Sequence, residues 1–242
     1  MFAAESAAGA PTQAAPAASS VTPAARDAHE LLHLGEIFKV LARIVASERR
    51  DAFEICELGC TTGWLSQELT AIGRVTGVDA HAGHIAQARQ HYPHVAFELA
   101  ALSAWTPATQ FDLVVSCEVL EHLPDKKPYV QALQRITRPG GWVLITTPNK
   151  KLKPYWDAAD MGEGIFEDWL TPAQLRTLLV DFEIMQHSTF LYDFAYTGIY
   201  RWLNAKKLRA LLRRCKIEPL YDALWHMLGL GLYQIVLCRR VG

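Results

Sequence analysis

Hydrophobic positions follow two different periods along the chain. Between Asp27 and Arg49, Leu31, Leu34, Ile37, Phe38, Leu41, Ile44 and Val45 recur at helical spacing, which predicts an amphipathic lead-in helix. Beyond it the pattern becomes short apolar runs, at 53–58 (FEICEL), 74–79 (RVTGVD), 94–99 (HVAFEL), 111–117 (FDLVVSC) and 141–147 (GWVLITT). These read as strands, and the stretches between them, at about 63–72, 82–91 and 126–137, as helices. The "RPGG" at 138–141 predicts a helix stop and turn ahead of the fifth strand. Such alternation forces right-handed crossovers, hence an α/β fold with a doubly wound, mostly parallel sheet and helices on both faces. After Pro148 a helix at 171–180 opens on Thr171-Pro172, an N-cap followed by proline at the first helical position. A strand at 182–191, an aromatic and basic segment at 192–228 and a last strand at 233–240 complete seven strands. Residues 26–242 are expected to form a single domain, with 198–230 as a helical C-terminal cap inserted before the last strand.

Composition changes this picture only at the edges. Residues 1–25 are rich in Ala, Pro and Ser, with too little large apolar surface to offset the entropy of ordering, and are expected to be a disordered tail. That tail lacks the basic start and apolar block of a signal peptide, and no later run reaches transmembrane length, so the expectation is a soluble, cytoplasmic protein. The formal charge of −1 gives no global pull toward nucleic acid or membrane. Five cysteines, none in a C-x-x-C pair, suit packing in a reducing compartment better than a disulfide framework or a metal cluster.

The stretch "FEICELGCTTGWLSQEL" (53–69) places Gly59 and Gly63 at a strand–loop–helix turn, with Glu57 two residues ahead. In an open parallel sheet, ligands sit beyond the carboxyl ends of the strands at such a turn. A phosphate-binding loop would need Gly-Lys-Ser/Thr, which is missing, and a dinucleotide loop would need G-x-G-x-x-G, where Thr61 stands at the middle position. Glu57 would repel a pyrophosphate but tolerate a sulfonium and an ammonium, so a nucleoside without phosphates fits best. Asp79, twenty residues after Gly59 at the end of the second strand, is spaced to accept hydrogen bonds from ribose hydroxyls.

Taken in order, "ELGCTTG", "GVDA", "FDLVVSCEVLEHL" and "RITRPGGWVLITTPN" resemble the successive motifs of class I S-adenosylmethionine-dependent methyltransferases, in particular the ubiquinone-biosynthesis O-methyltransferase type and its small-molecule relatives. The resemblance implies a Rossmann-like seven-stranded sheet with an antiparallel last strand, and S-adenosylmethionine as cofactor with S-adenosylhomocysteine as product. It implies that Glu57, Gly59, Cys60, Thr61 and Gly63 contact the methionine moiety. Asp79 and Ala80 would hold ribose and adenine, Ala101 and Leu102 would offer backbone to the adenine edge, and Cys117 and Glu118 would close the site. Two departures stand out: Thr61 replaces the usual middle glycine, and "ELAALS" (98–103) lacks the aspartate common near the adenine.

For chemistry, Glu118, Glu121 and His122 form an E-x-x-E-H pattern after the fourth strand. On one helical turn these three would share a side, and His122 would be a general base or simply a packing group beside the cofactor. As an alternative they would hold a divalent metal, as in small-RNA 2′-O-methyltransferases and some quinone O-methyltransferases. Those relatives add a histidine shortly before the "TP" helix, where this chain reads "MGEGIFEDWLTP" and offers only Glu163 or Glu167, so no metal is the favoured reading. Surface placement is expected for His29, His33, His81, His84, His91 and His94, and core or surface roles for His187 and His226. The aromatic cluster Phe190, Tyr192, Phe194, Tyr196, Tyr200, Trp202 and Trp225 is either a wall over the acceptor or a seat for the cap. The basic amphipathic segment 200–216 suits peripheral contact with an anionic membrane or an anionic substrate. The leading function is methylation of a small molecule on oxygen or nitrogen, with an aromatic, glycan or lipid-linked metabolite as acceptor. An RNA 2′-O-methyltransferase and a non-catalytic nucleoside-binding partner subunit are the alternatives.

Overall fold

A computed structural model describes residues 28–48, 50, 52–102, 104–155, 166–190, 202, 203 and 205–242; the expected tail at 1–25 lies outside them. A lead-in helix α1 (Ala28–Glu48) precedes β1 (Phe53–Leu58), α2 (Trp64–Leu69), β2 (Gly73–Asp79), α3 (Ala82–His91), β3 (Ala96–Leu99) and β4 (Phe111–Cys117). Then follow α4 (Lys127–Ile136), β5 (Thr137–Pro148), α5 (Pro172–Leu178), β6 (Phe182–Phe190), α6 (Lys206–Arg214), α7 (Glu218–Leu228) and β7 (Tyr233–Arg240). The sheet order is β3-β2-β1-β4-β5-β7-β6, and β1 to β5 pair in parallel. The last strand, β7, runs antiparallel between β5 and β6. Strand order reverses between β1 and β4, which opens the crevice that such sheets use for ligands.

Each face of the sheet carries its own apolar layer. Ile37, Leu41 and Ile44 of α1 pack with Leu65, Leu69, Ile85 and Ala88 against one face. Tyr129, Leu133 and Ile136 of α4 and Leu175 of α5 cover the other. These buried stripes recur every three or four residues, so the helices form because one side of each removes apolar area from water. Thr171 caps α5 reciprocally with Gln174, as the N-cap reading requires.

The "RPGG" segment departs from its predicted turn. Arg138, Pro139, Gly140 and Gly141 lie inside β5, where the pairing with β4 slips between Phe111 and Leu113. Gly140, at φ +69°, absorbs the irregularity. The slip is held by Asp112, which accepts from Arg50 Nη1 and Arg138 Nε, both at 2.5 Å, and from the Glu54 amide at 2.9 Å. In spite of its burial, the Glu54 amide and then those cations keep the Asp112 carboxyl below the usual carboxylate range. The same end of the sheet anchors α1, because Trp142 Nε1 donates to Glu48 Oε1 at 3.0 Å. With its C-terminus fixed at the start of β5, α1 runs back along the sheet and brings His33 to Thr146, near the end of β5.

Candidate active site

The turn after β1 is built on three left-handed residues: Gly59 (φ +78°), Thr61 (φ +45°) and Gly63 (φ +84°). Two of these must be glycine for space as well as for dihedral. A Cβ at 59 would stand 2.2 Å from Val119 Cγ2, and one at 63 would stand 2.6 Å from the Phe97 ring. Thr61 takes the same region with a branched side chain, a conformation costing about 1–2 kcal/mol. Tertiary bonds hold it there: its amide donates to Asp79 Oδ2 at 3.0 Å, while Gly59 and Cys60 donate to the Val78 carbonyl at 2.8 and 3.1 Å.

Asp79 therefore ties the loop to the end of β2. Its Oδ1 also accepts from the His81 amide at 2.8 Å and lies 3.5 Å from His84 Nδ1. A carboxylate has about four lone-pair sites, so capacity remains for ribose hydroxyls. Ala80 follows directly. Ala100 donates to the Asp79 carbonyl at 3.0 Å, which brings the backbone of Ala101 and Leu102 to the same strand ends. Glu57 is 4% exposed and accepts from Ser66 Oγ; burial, reinforced by the Asp79 charge, pushes its carboxyl up to about 8.

A cavity of about 280 Å³ opens beside this turn. Its wall contains Glu57, Gly59, Thr61, Cys117 and Glu118 from the strand ends, Trp64 and Leu65 of α2, His33 and Ile37 of α1, and Tyr233 of β7. Among the described residues Glu57 and Glu118 line it and no lysine or arginine does, so these offer no cation to a pyrophosphate and suit the sulfonium and ammonium of S-adenosylmethionine. Residues expected at the methionine moiety are thus brought together, Cys60 lying buried just behind them.

The E-x-x-E-H segment is a 3₁₀ turn over Leu120–His122 and not an α-helical one, with Glu118 left-handed at φ +54° before it. That geometry turns His122 away from the two carboxyls, which stay neighbours. Glu118 Oε1 accepts from Thr146 Oγ1 at 2.9 Å, and Glu121 Oε2 accepts from Thr147 Oγ1 at 3.0 Å. Burial and the Glu121 charge hold the Glu118 carboxyl well above its ordinary range, and burial raises Glu121 as well. His122 is exposed, and its Nδ1 stands 3.1 Å from the Phe166 carbonyl. Among the described residues no three His, Cys, Asp or Glu side chains gather as a metal site would require.

His33 corrects the surface placement expected from sequence. Its side chain is 12% exposed, its Nε2 is 3.0 Å from Thr146 Oγ1 and 3.8 Å from Glu118 Oε1, and its ring meets Phe190 and Tyr233 with centroids 5.0 Å away. A signal was present: one turn before Ile37, His33 prolongs the buried stripe of α1. Tyr233 was also missed, since it reads only as the start of a strand. His187, half-buried, engages Gln234 and Arg176, and burial depresses its pKa. Of the aromatic cluster, Phe190 and Trp225 are buried and Trp202 is 79% exposed, while Tyr192, Phe194, Tyr196 and Tyr200, like Glu163, lie outside the described residues.

Comparison with known proteins agrees with this geometry. The methyltransferase-domain family profile matches residues 28–215. A ubiquinone biosynthesis O-methyltransferase of Leptothrix cholodnii is 34% identical over 202 residues, covering 78% of this chain and 79% of that protein. The chain belongs to the S-adenosylmethionine-dependent methyltransferases. It spans only about half the length of several further relatives of the same description. The fold is shared with an S-adenosylmethionine-dependent methyltransferase of Mesorhizobium loti, at TM-score 0.56 and 19% identity over 78% of this chain and 91% of that one. It is shared also with the N-methyltransferase NodS of Bradyrhizobium japonicum bound to S-adenosylhomocysteine, at TM-score 0.54 and 17% identity over 85% and 86%.

Proposed function

We propose that this methyltransferase alkylates a small molecule, and that the acceptor atom is a hydroxyl oxygen of a phenol. The observation that carries the reading is the cavity between the glycine turn and α1, too small for a polymer and walled by aromatic rings, carboxylates and an imidazole. The name of the Leptothrix relative supports an oxygen acceptor. Glu57, Gly59, Cys60, Thr61 and Gly63 are assigned to the methionine end of the cofactor, and Asp79, Ala80, Ala101 and Leu102 to its nucleoside. Cys117 and Glu118 are assigned to the boundary with the acceptor. When bound, the cofactor supplies an electrophilic methyl group whose bond electrons return to sulfur. The chain's own contribution is to hold the acceptor in line and exclude water, worth up to about 7–11 kcal/mol in well-oriented systems.

His122, held to the Phe166 carbonyl, is assigned a supporting role. With the Asp168 amide donating to the Glu121 carbonyl at 2.8 Å, it fastens the segment that leads into α5. The helices α6 and α7 are assigned to a cap over the acceptor side. Leu211, Leu220, Leu224, Met227 and Leu228 are exposed there beside Lys206, Lys207, Arg214 and Lys216, which supports transient seating on an anionic lipid surface. Among the described residues no helix is long and apolar enough to cross a membrane. The cysteines, all five free, support a reducing cytoplasm as the compartment.

The test is calorimetric titration with S-adenosylhomocysteine, followed by methyl transfer to matched panels of phenols and primary amines. Turnover of phenols with amines inert is expected. Transfer to amines alone would refute the oxygen reading.

A further inference from the structure

We infer that Ser66 is a positioning residue for cofactor capture: its hydroxyl holds the Glu57 carboxyl against the cavity and so sets the pH at which the enzyme takes up S-adenosylmethionine. The inference rests on the assignment of Glu57 to the methionine end of the cofactor. Ser66 lies on α2 and is fully buried, and its Oγ donates to Glu57 Oε2. Glu57 Oε1 takes no side-chain hydrogen bond from the described residues and is not sealed from solvent, so it is the oxygen that meets the cavity. The approach of α2 depends on a missing side chain. Gly77 is the partner of Glu57 in the β1–β2 pairing, and a Cβ there would lie 2.7 Å from both Ser66 Oγ and Phe97 Cδ1. With that space open, Ser66 reaches the end of β1 and leaves Glu57 an oxygen for an ammonium.

Burial raises the Glu57 carboxyl to about 8; the Ser66 hydroxyl and then its amide restrain that rise, and the charge of Asp79 adds to it. A hydrogen bond to an ionised group is stronger than one to the neutral acid, so Ser66 favours the carboxylate. The other ionisable groups that face Glu57 are Cys56 beside it on β1, Cys60 of the turn, Asp79 at the end of β2, Cys117 at the end of β4, Glu118 after it and His33 of α1 in the cavity wall. Among the described residues Ser66 is the one whose side chain bonds the carboxyl. Capture is then a proton exchange with water. The Glu57 O–H bond breaks, its proton leaves to solvent, and the carboxylate meets the cofactor's ammonium. No other group need change charge.

The test is calorimetric titration of the full chain with S-adenosylhomocysteine from about pH 6 to about pH 9. Ser66→Ala should raise the proton affinity of Glu57 about tenfold, so its affinity for S-adenosylhomocysteine should lie about tenfold below wild type at pH 7 and within about twofold of it at pH 9. Titration of the ligand itself is common to both proteins and cancels in that ratio. Ser66→Cys, which keeps a weaker donor at the same place, should fall between them, and it carries the test if the alanine variant does not fold. In a Glu57→Gln background the same substitutions should leave the pH dependence untouched. A deficit that is equal at pH 7 and pH 9 would show that Ser66 merely packs under the turn and overturns the proposal. A wild-type profile in both variants overturns it too, as does a shift that persists beside Glu57→Gln. A wild-type profile in Glu57→Gln alone would strike the assignment of Glu57 to the methionine end, and the proposal with it.

Discussion

Binding of the cofactor should release a proton from Glu57. With its carboxyl pushed up to about 8, Glu57 is about nine-tenths protonated at pH 7 in the free enzyme. An ammonium at about 4 Å stabilises the carboxylate by ~4 kcal/mol at an effective dielectric of about 20, near a thousandfold in proton affinity. The group therefore ionises on binding, and about 0.9 proton leaves. The sign follows: affinity for S-adenosylhomocysteine rises with pH, at most about tenfold per pH unit, and levels off above about 8. Calorimetry at pH 7 in buffers of different ionisation enthalpy counts the protons, and Glu57→Gln, which keeps the contact with Ser66, should remove the release and flatten the pH dependence. In the unliganded protein the raised carboxyl contributes stability that is complete below its ordinary value of 4.5 and lost as pH rises through about 8. Glu57→Gln should thus raise the melting temperature most at pH 9 while weakening cofactor binding. Proton release that is absent, or unchanged in Glu57→Gln, would refute the reasoning.

Three further perturbations probe other parts of the structure. Gly59→Ala forces a Cβ to 2.2 Å from Val119 Cγ2 at φ +78°, and should cost about 2–4 kcal/mol in thermal unfolding; adding Val119→Ala should recover the overlap but not the backbone strain. His122→Ala should lower kcat only a few fold, because its ring engages Phe166 at the surface; a loss of about 10²-fold or more would place the proton transfer on His122. Leu220→Glu with Met227→Glu should abolish cosedimentation with phosphatidylglycerol vesicles and leave affinity for S-adenosylhomocysteine unchanged; retained cosedimentation would remove the membrane reading.

Local pattern alone determined most of the framework. Buried strands and amphipathic helices declare themselves by period, so β1, α3, β4 and β7 fall where the spacing put them, and the glycine turn with Asp79 twenty residues on already pointed to the strand ends beside which the cavity opens. Physical chemistry makes this legible because backbone hydrogen bonding and one-sided burial act over a few residues. What the pattern missed was decided at long range. Pro139 and Gly140 read as a turn, yet Asp112 with Arg50 and Arg138 holds them in a slipped strand. Glu118, Glu121 and His122 read as one helical face, yet a left-handed Glu118 followed by a 3₁₀ turn sends the two carboxylates to Thr146 and Thr147 and His122 outward. His33 sits 113 residues from Thr146, and no local period records that contact. Only the packing of α1 against the sheet, anchored by Glu48 on Trp142, carries that imidazole into the cavity, because a buried polar side chain takes its partner from whatever the fold brings within reach.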